Sequence, residues 1–341
     1  MKTSAHRRTP GNIALARRKS KAAIRRAVKR ITFGGPGVWC GGVLLAITLT
    51  GCSTVPARAL DEAAAARGLT VDTLPVTDPQ SVPGARLRTF ANPAFLAARS
   101  AAARRVAASR TAEEPVQPSS GRVSDVRLHV YLDGDGRPFI APRRVARDPT
   151  PAQPLVLDLL AQDAAPALYL GRPCYHGLQS GCDARDWTLA RYGPRVVSAL
   201  VDGLRAAADQ VDAREIVLIG YSGGGALAVL VADRLPEVSA VVTLAANLDT
   251  DAWAAHHGYS PLVGSNNPAA LPTLPRVPQR HYTGAADRNV PPELQVAYRI
   301  RADEAVFVTF PDFTHTCCWV AGWPALLDDL KRWLDQLRDA P

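Results

Sequence analysis

From residue 122 to its end the sequence alternates short β-branched or apolar runs with longer segments whose apolar residues recur at helical spacing. VRLHVYL (126–132) alternates and ends in DGDG, and PLVLDLLAQ follows with helical character. ALYLGRP reads as a strand and RYGPRVVSALVDGLRAAADQ as a helix with one apolar face. EIVLIG is a short buried strand, GGGALAVLVADRL a helix and VSAVVTLAA another strand. After a Pro- and Asn-rich stretch come the strand RHYTG, the helix PELQVAYRI, the strand AVFVTF and the closing helix WPALLDDLKRWLDQL. Alternation sustained over about 220 residues predicts an α/β fold: a mostly parallel, doubly wound sheet with helices on both faces. Right-handed crossovers then bring the C-terminal ends of the strands to one edge, where α/β proteins bind ligands.

Ahead of this region the texture is different, and no internal repeat is present. Residues 52–121 read as a tether with partial structure. Within it ALDEAAAARG could form a short helix ending at Gly68 and ARLRTF one strand. AARSAAARRVAASRTAEEPVQPSSG lacks large apolar residues and reads as an exposed helix fading into a linker.

The formal charge of +9 would suit a nucleic-acid partner, but its distribution excludes that reading. Eleven Lys and Arg, and no acid, precede residue 52; without them 29 basic residues face 31 acidic ones, a net −2. The basic segment is followed by GGPG, the apolar run VWCGGVLLAITL and LTGC ending at Cys52, the layout of an export signal over residues 1–51. LTGC resembles the lipobox of bacterial lipoproteins, which implies an N-terminal lipid on Cys52 and attachment to a membrane of the cell envelope. Ser53 after it resembles an outer-membrane sorting signal. An uncleaved signal anchor is the alternative; a downstream start, or a twin-arginine signal at Arg25-Arg26, would account for the long basic segment.

With Cys40 inside the signal, four cysteines remain: Cys174, Cys182, Cys317 and Cys318. An even number in an exported chain favours disulfides. Cys174 and Cys182 flank a turn-rich loop and predict a local bridge, leaving Cys317 and Cys318 as a vicinal bridge or as free thiols.

The chemistry-bearing motif is G-x-S-x-G at Gly220, Ser222 and Gly224, set between a buried strand and an apolar helix. A serine in such a tight turn presents its Oγ outward, and the N–H groups of the helix start face any negative charge that develops there.

Residues 122–341 resemble the α/β-hydrolase superfamily, and the exported, lipobox-bearing form resembles bacterial lipoprotein hydrolases of that superfamily. The resemblance implies an acid after a late strand and a histidine after the last one, in the order Ser, Asp, His. Asp287, in TGAADRNVPP, and His315, in PDFTHTCCW, stand at those places, and Asp249 after VSAVVTLAA is the rival acid. It also implies an oxyanion hole built from the N–H of Gly223 and a second donor, Gly134 or Asp135, in DGDG. Members often carry His-Gly-Gly there, so Asp133 departs from the pattern. Neither DGDG, which lacks the remaining calcium-loop ligands, nor His256-His257 makes a metal site. His129 and His281 fall within strands, and His176 in the Cys174–Cys182 loop.

The expectation is a lipid-anchored serine hydrolase acting on a small-molecule or lipid-like ester, thioester or amide through an acyl-enzyme, with no cofactor. Trp253, His256, Tyr259 and PLVGSNNPAALPTLP would wall the pocket. An acyltransferase using the same triad, and a non-catalytic binding lipoprotein of this fold, are the alternatives.

Overall fold

The computed structural model describes residues 57–111, 125–177 and 179–339. The export signal and Cys52 lie outside the described residues. Strands β1 (Thr70–Pro75), β2 (Arg86–Ala91), β3 (Arg127–Leu132), β6 (Ala167–Leu170), β7 (Glu215–Tyr221), β8 (Val238–Leu244), β9 (Gln279–Gly284) and β10 (Val306–Phe310) form one sheet. Its order is β1-β2-β6-β3-β7-β8-β9-β10. From β6 to β10 all neighbours are parallel, and β2 runs antiparallel to both β1 and β6. The intervening β4 (Phe139–Ala141) and β5 (Arg144–Val145) make a separate two-stranded ribbon. The helices are α1 (Ala57–Ala65), α2 (Pro93–Thr111), α3 (Leu155–Leu160), α4 (Pro194–Val211), α5 (Gly223–Ala232), α6 (Thr250–His256), α7 (Val296–Arg301) and α8 (Trp319–Arg338).

The mostly parallel, helix-flanked sheet expected from the alternation is the fold that forms. Its centre is β7, buried at every position after Glu215, as a strand covered on both faces must be. Helix α5 is buried along its whole length, whereas α4 buries one face through Val196, Leu200, Leu204 and Val211. Pro194 opens α4 with its φ already set, and Asp212 in the left-handed region ends it.

Reading residues 52–121 as a tether needs correction. They supply β1, β2, α1 and α2, and Leu87, Phe90 and Phe95 are buried in the core. Asn92 fastens this segment to the sheet: its Oδ1 accepts from Phe95 N and Ala167 N, and its Nδ2 donates to Asp163 O and Ala165 O. Arg67 pairs with Asp158 of α3 at 2.7 Å. The short helix and the strand expected here do form, at Ala57–Ala65 and Arg86–Ala91. What the composition hid is their place in the main sheet, because the strand partner of β2 lies about 80 residues downstream.

By contacts the chain falls into two compact units. Residues 52–321 carry the sheet and the candidate site, and among the described residues only 322–339, the remainder of α8, belong to the other. Among the described residues no helix is long and apolar enough to cross a membrane.

Candidate active site

Ser222 follows β7, Asp287 follows β9, His315 follows β10 and Asp133 follows β3, so all four stand at the C-terminal edge of the parallel strands. Ser222 adopts φ 53° and ψ −121°, a region a non-glycine residue enters only when its surroundings force it. The forcing is visible in its neighbours. A Cβ on Gly220 would overlap the backbone of Gly224, and one on Gly224 would overlap the carbonyl of Leu132. The elbow therefore closes only around glycine, and Ser222 N–H and C=O are tied to Leu244 O and Asn247 N.

His315 Nε2 lies 3.0 Å from Ser222 Oγ, and its Nδ1 lies 2.8 Å from Asp287 Oδ2. The other oxygen of Asp287 accepts from Asn289 N at 2.8 Å and Val290 N at 2.9 Å. Burial alone would raise the pKa of Asp287, but these bonds and the imidazole outweigh it and hold the carboxyl below its ordinary value. The histidine loop is anchored from behind: Tyr221 Oη and Trp319 Nε1 each donate to His315 O at 3.0 Å. Asp249 stands elsewhere, at the start of α6, where it accepts from Ala252 N and Asn267 Nδ2 as a helix cap.

Gly134 packs against Ser222, since a Cβ on it would stand 3.3 Å from Ser222 Cβ. Its N–H, however, donates to Asp133 Oδ1 at 2.7 Å. Burial pushes the Asp133 carboxyl up to about 7, against the opposing pull of that N–H and of Arg172. Among the described residues the N–H groups of Gly223 and Asp135 have no acceptor, so of the two expected partners for Gly223 the arrangement leaves Asp135 available.

Asn289 was not among the expected site residues. Its side-chain amide is 3.0 Å from His315 Nε2, the same nitrogen that faces Ser222, and its carbonyl accepts from His257 Nε2 at 2.8 Å. The position two residues after Asp287 was the only signal. His257 stacks on Tyr259 and meets Trp253 edge-on, both at just over 5 Å, so the aromatic residues expected to wall the pocket reach the loop bearing Asp287. His256 contacts His257 and no metal cluster exists among the described residues.

The other described histidines, His129, His176 and His281, are structural. His129 bonds Asp163, His281 bonds Thr243 and Gln279, and His176 bonds Tyr169. Cys174 and Cys182 are bridged, with Cα atoms 5.6 Å apart, and Cys317 and Cys318 form the vicinal pair.

No protein-family model and no curated protein matches the sequence. Solved structures do match in fold. An esterase from Pyrococcus furiosus aligns at 12% identity with a TM-score of 0.52, over 84% of this chain and 96% of its own. A puromycin hydrolase aligns at 16% identity with a TM-score of 0.54, over 81% of this chain but only 40% of its own. Strand order, the placing of the site at the strand ends and these similarities agree: the chain has the α/β-hydrolase fold.

Proposed function

We propose that this protein is a serine hydrolase that cleaves an ester, thioester or amide through an acyl-enzyme, held at a bacterial membrane by lipid on Cys52. The observation that carries the reading is the two-sided engagement of His315, 3.0 Å from Ser222 Oγ through Nε2 and 2.8 Å from Asp287 through Nδ1. In that arrangement Asp287 keeps the proton on Nδ1, so Nε2 presents a lone pair to the serine hydroxyl. As Ser222 Oγ bonds to the substrate carbonyl carbon, its proton passes to Nε2 and then to the departing oxygen, sulfur or nitrogen. Water repeats the sequence on the acyl-serine and restores the enzyme. The tetrahedral oxyanion is received by Gly223 N–H, at the start of α5, and by Asp135 N–H, in the loop after β3. Trp253, His257 and Tyr259 form an aromatic wall suited to an apolar group on the substrate.

The test is a fluorophosphonate probe together with Ser222→Ala. The wild-type chain should be labelled and should hydrolyse a p-nitrophenyl ester, and Ser222→Ala should lose both, with kcat down by about 10⁶. Retained turnover in Ser222→Ala sinks the reading. Anchoring has a separate test: Cys52→Ala should abolish incorporation of labelled palmitate, and unchanged incorporation would remove the lipoprotein part alone.

A further inference from the structure

The loop that supplies the second oxyanion donor is gripped by arginine and tyrosine side chains from one distant stretch, residues 172–192. Arg172 Nη1 is 2.9 Å from Asp135 Oδ1, an ion pair too poorly angled for a hydrogen bond, while its Nη2 donates to Asp133 O at 2.9 Å. Arg191 Nη1 donates to Asp135 Oδ2 at 2.9 Å, and Tyr192 Oη donates to the same oxygen at 2.6 Å. Tyr175 Oη donates to Asp135 O at 3.1 Å. Both guanidiniums are about 95% buried, and Arg172 also lies over the rings of Tyr175 and Tyr192. Burial alone would raise the pKa of Asp135, yet the two arginines and Tyr192 hold it below its ordinary value. The carboxylate therefore stays ionised inside the clamp.

This cluster borders the reacting atoms. A Cβ on Gly223 would overlap Asp135 Oδ1 and stand 2.6 Å from Tyr192 Oη. So much buried charge is an expensive way to shape a loop, and burying two cations on one carboxylate is favourable only when the geometry is closely satisfied. Its effect is to hold the Asp135 carboxylate by three side chains, while Tyr175 and Arg172 fix the carbonyls of Asp135 and Asp133 on either side of the peptide that bears the Asp135 N–H. A peptide N–H that must meet an oxyanion gains most from being fixed beforehand, since no reorganisation is then needed at the moment of reaction. The Cys174–Cys182 bridge closes the loop that carries Tyr175 and begins two residues after Arg172, and so limits the freedom of the clamp itself.

Resting on the proposed hydrolase reading, we propose that Asp135 is a positioning residue whose side chain, clamped by Arg172, Arg191 and Tyr192, holds its own peptide N–H in place beside Gly223 N–H. It replaces the neutral glycine-rich loop that the superfamily resemblance would suggest with an ionically fastened one. The clamp acts in the transition state and leaves ground-state binding of the substrate alone.

The experiment compares wild type, Tyr192→Phe, Asp135→Asn and Ser222→Ala in the full chain, with thermal melts to establish folding. Steady-state kinetics on a p-nitrophenyl ester and inhibition by phenylboronic acid, which adds to the serine as a tetrahedral anion, are measured on each. Tyr192→Phe should lower kcat about tenfold, and Asp135→Asn about a hundredfold, with KM within about twofold and boronate affinity falling in step with kcat. Unchanged kcat and boronate affinity in folded Tyr192→Phe and Asp135→Asn, or a change in KM alone, overturns the clamp. If Asp135→Asn does not fold, Tyr192→Phe decides. Activity surviving in Ser222→Ala instead overturns the hydrolase reading, whatever the clamp variants do.

Discussion

Two carboxylate–imidazole pairs of nearly equal dimensions occupy opposite ends of the same sheet. Asp287 meets His315 Nδ1 at 2.8 Å, and Asp163 meets His129 Nδ1 at 2.7 Å. Both acids are held by further donors: Asn289 and Val290 N–H for Asp287, Tyr131 Oη and Ala165 N–H for Asp163. The difference lies beyond the pair. His315 stands after the last strand, and its second nitrogen reaches Ser222 Oγ and Asn289. His129 is inside β3, and Asp163 sits in the turn before β6, so that pair lies toward the other edge of the sheet. An Asp–His pair is thus a recurring way to satisfy buried polar groups. It becomes chemical machinery only when the free imidazole nitrogen faces a nucleophile where a ligand can arrive.

Matched substitutions sharpen that contrast. Asp287→Asn should keep the fold while letting the imidazole take the wrong tautomer, lowering kcat by up to about 10⁴. Asp163→Asn should leave kcat within about twofold. If both variants lose activity alike, or Asp249→Asn loses it and Asp287→Asn does not, the division is wrong and the acid lies elsewhere.

The smaller effect runs the other way. Asp163→Asn and His129→Ala should each lower unfolding stability by about 1–3 kcal/mol in urea titrations, because each leaves buried partners unsatisfied. A stability loss as large in His315→Ala would erase the distinction from the structural side.

The smallest signature is the acid limb of stability. Burial would raise the Asp163 carboxyl, but the His129 and Tyr131 bonds outweigh it, so its folded pKa lies below the ordinary 3.8. A depressed carboxylate contributes stability that is fully present above the unfolded value and is lost as pH falls through the folded one. Wild type should therefore lose stability below about pH 4 more steeply than Asp163→Asn does, read as urea midpoints at stepped pH. Parallel acid limbs for the two proteins would show that the pair contributes nothing by ionisation.

Legibility followed range along the chain. Ser222 could be read because a strand, a tight turn and a helix are contiguous, and the glycines that permit the turn are its neighbours. Asp287 and His315 were legible as positions after strands once a resemblance supplied the order. Asn289, whose amide type has no fixed meaning in a loop, was not. Nor was the clamp: Arg172 and Arg191 are 37 and 56 residues from Asp135, and nothing in DGDG names them. β1 escaped notice because only Leu74 of its residues is buried, so TVDTLP carries little of the pattern that marks a strand.

The antiparallel β1–β2 pair also acts as a border. β6 continues the parallel core, and Leu168 and Leu170 within it are buried. A chain trimmed to begin at residue 122 would keep every residue of the Ser222 site and lose the two strands that cover the flank of β6. The row of backbone N–H and C=O groups that now pairs with Thr89 to Ala91 would then be open to a strand from another molecule. Residues 86–91 hold that edge in the folded protein, and the edge of the sheet passes instead to β1, where only Leu74 is buried.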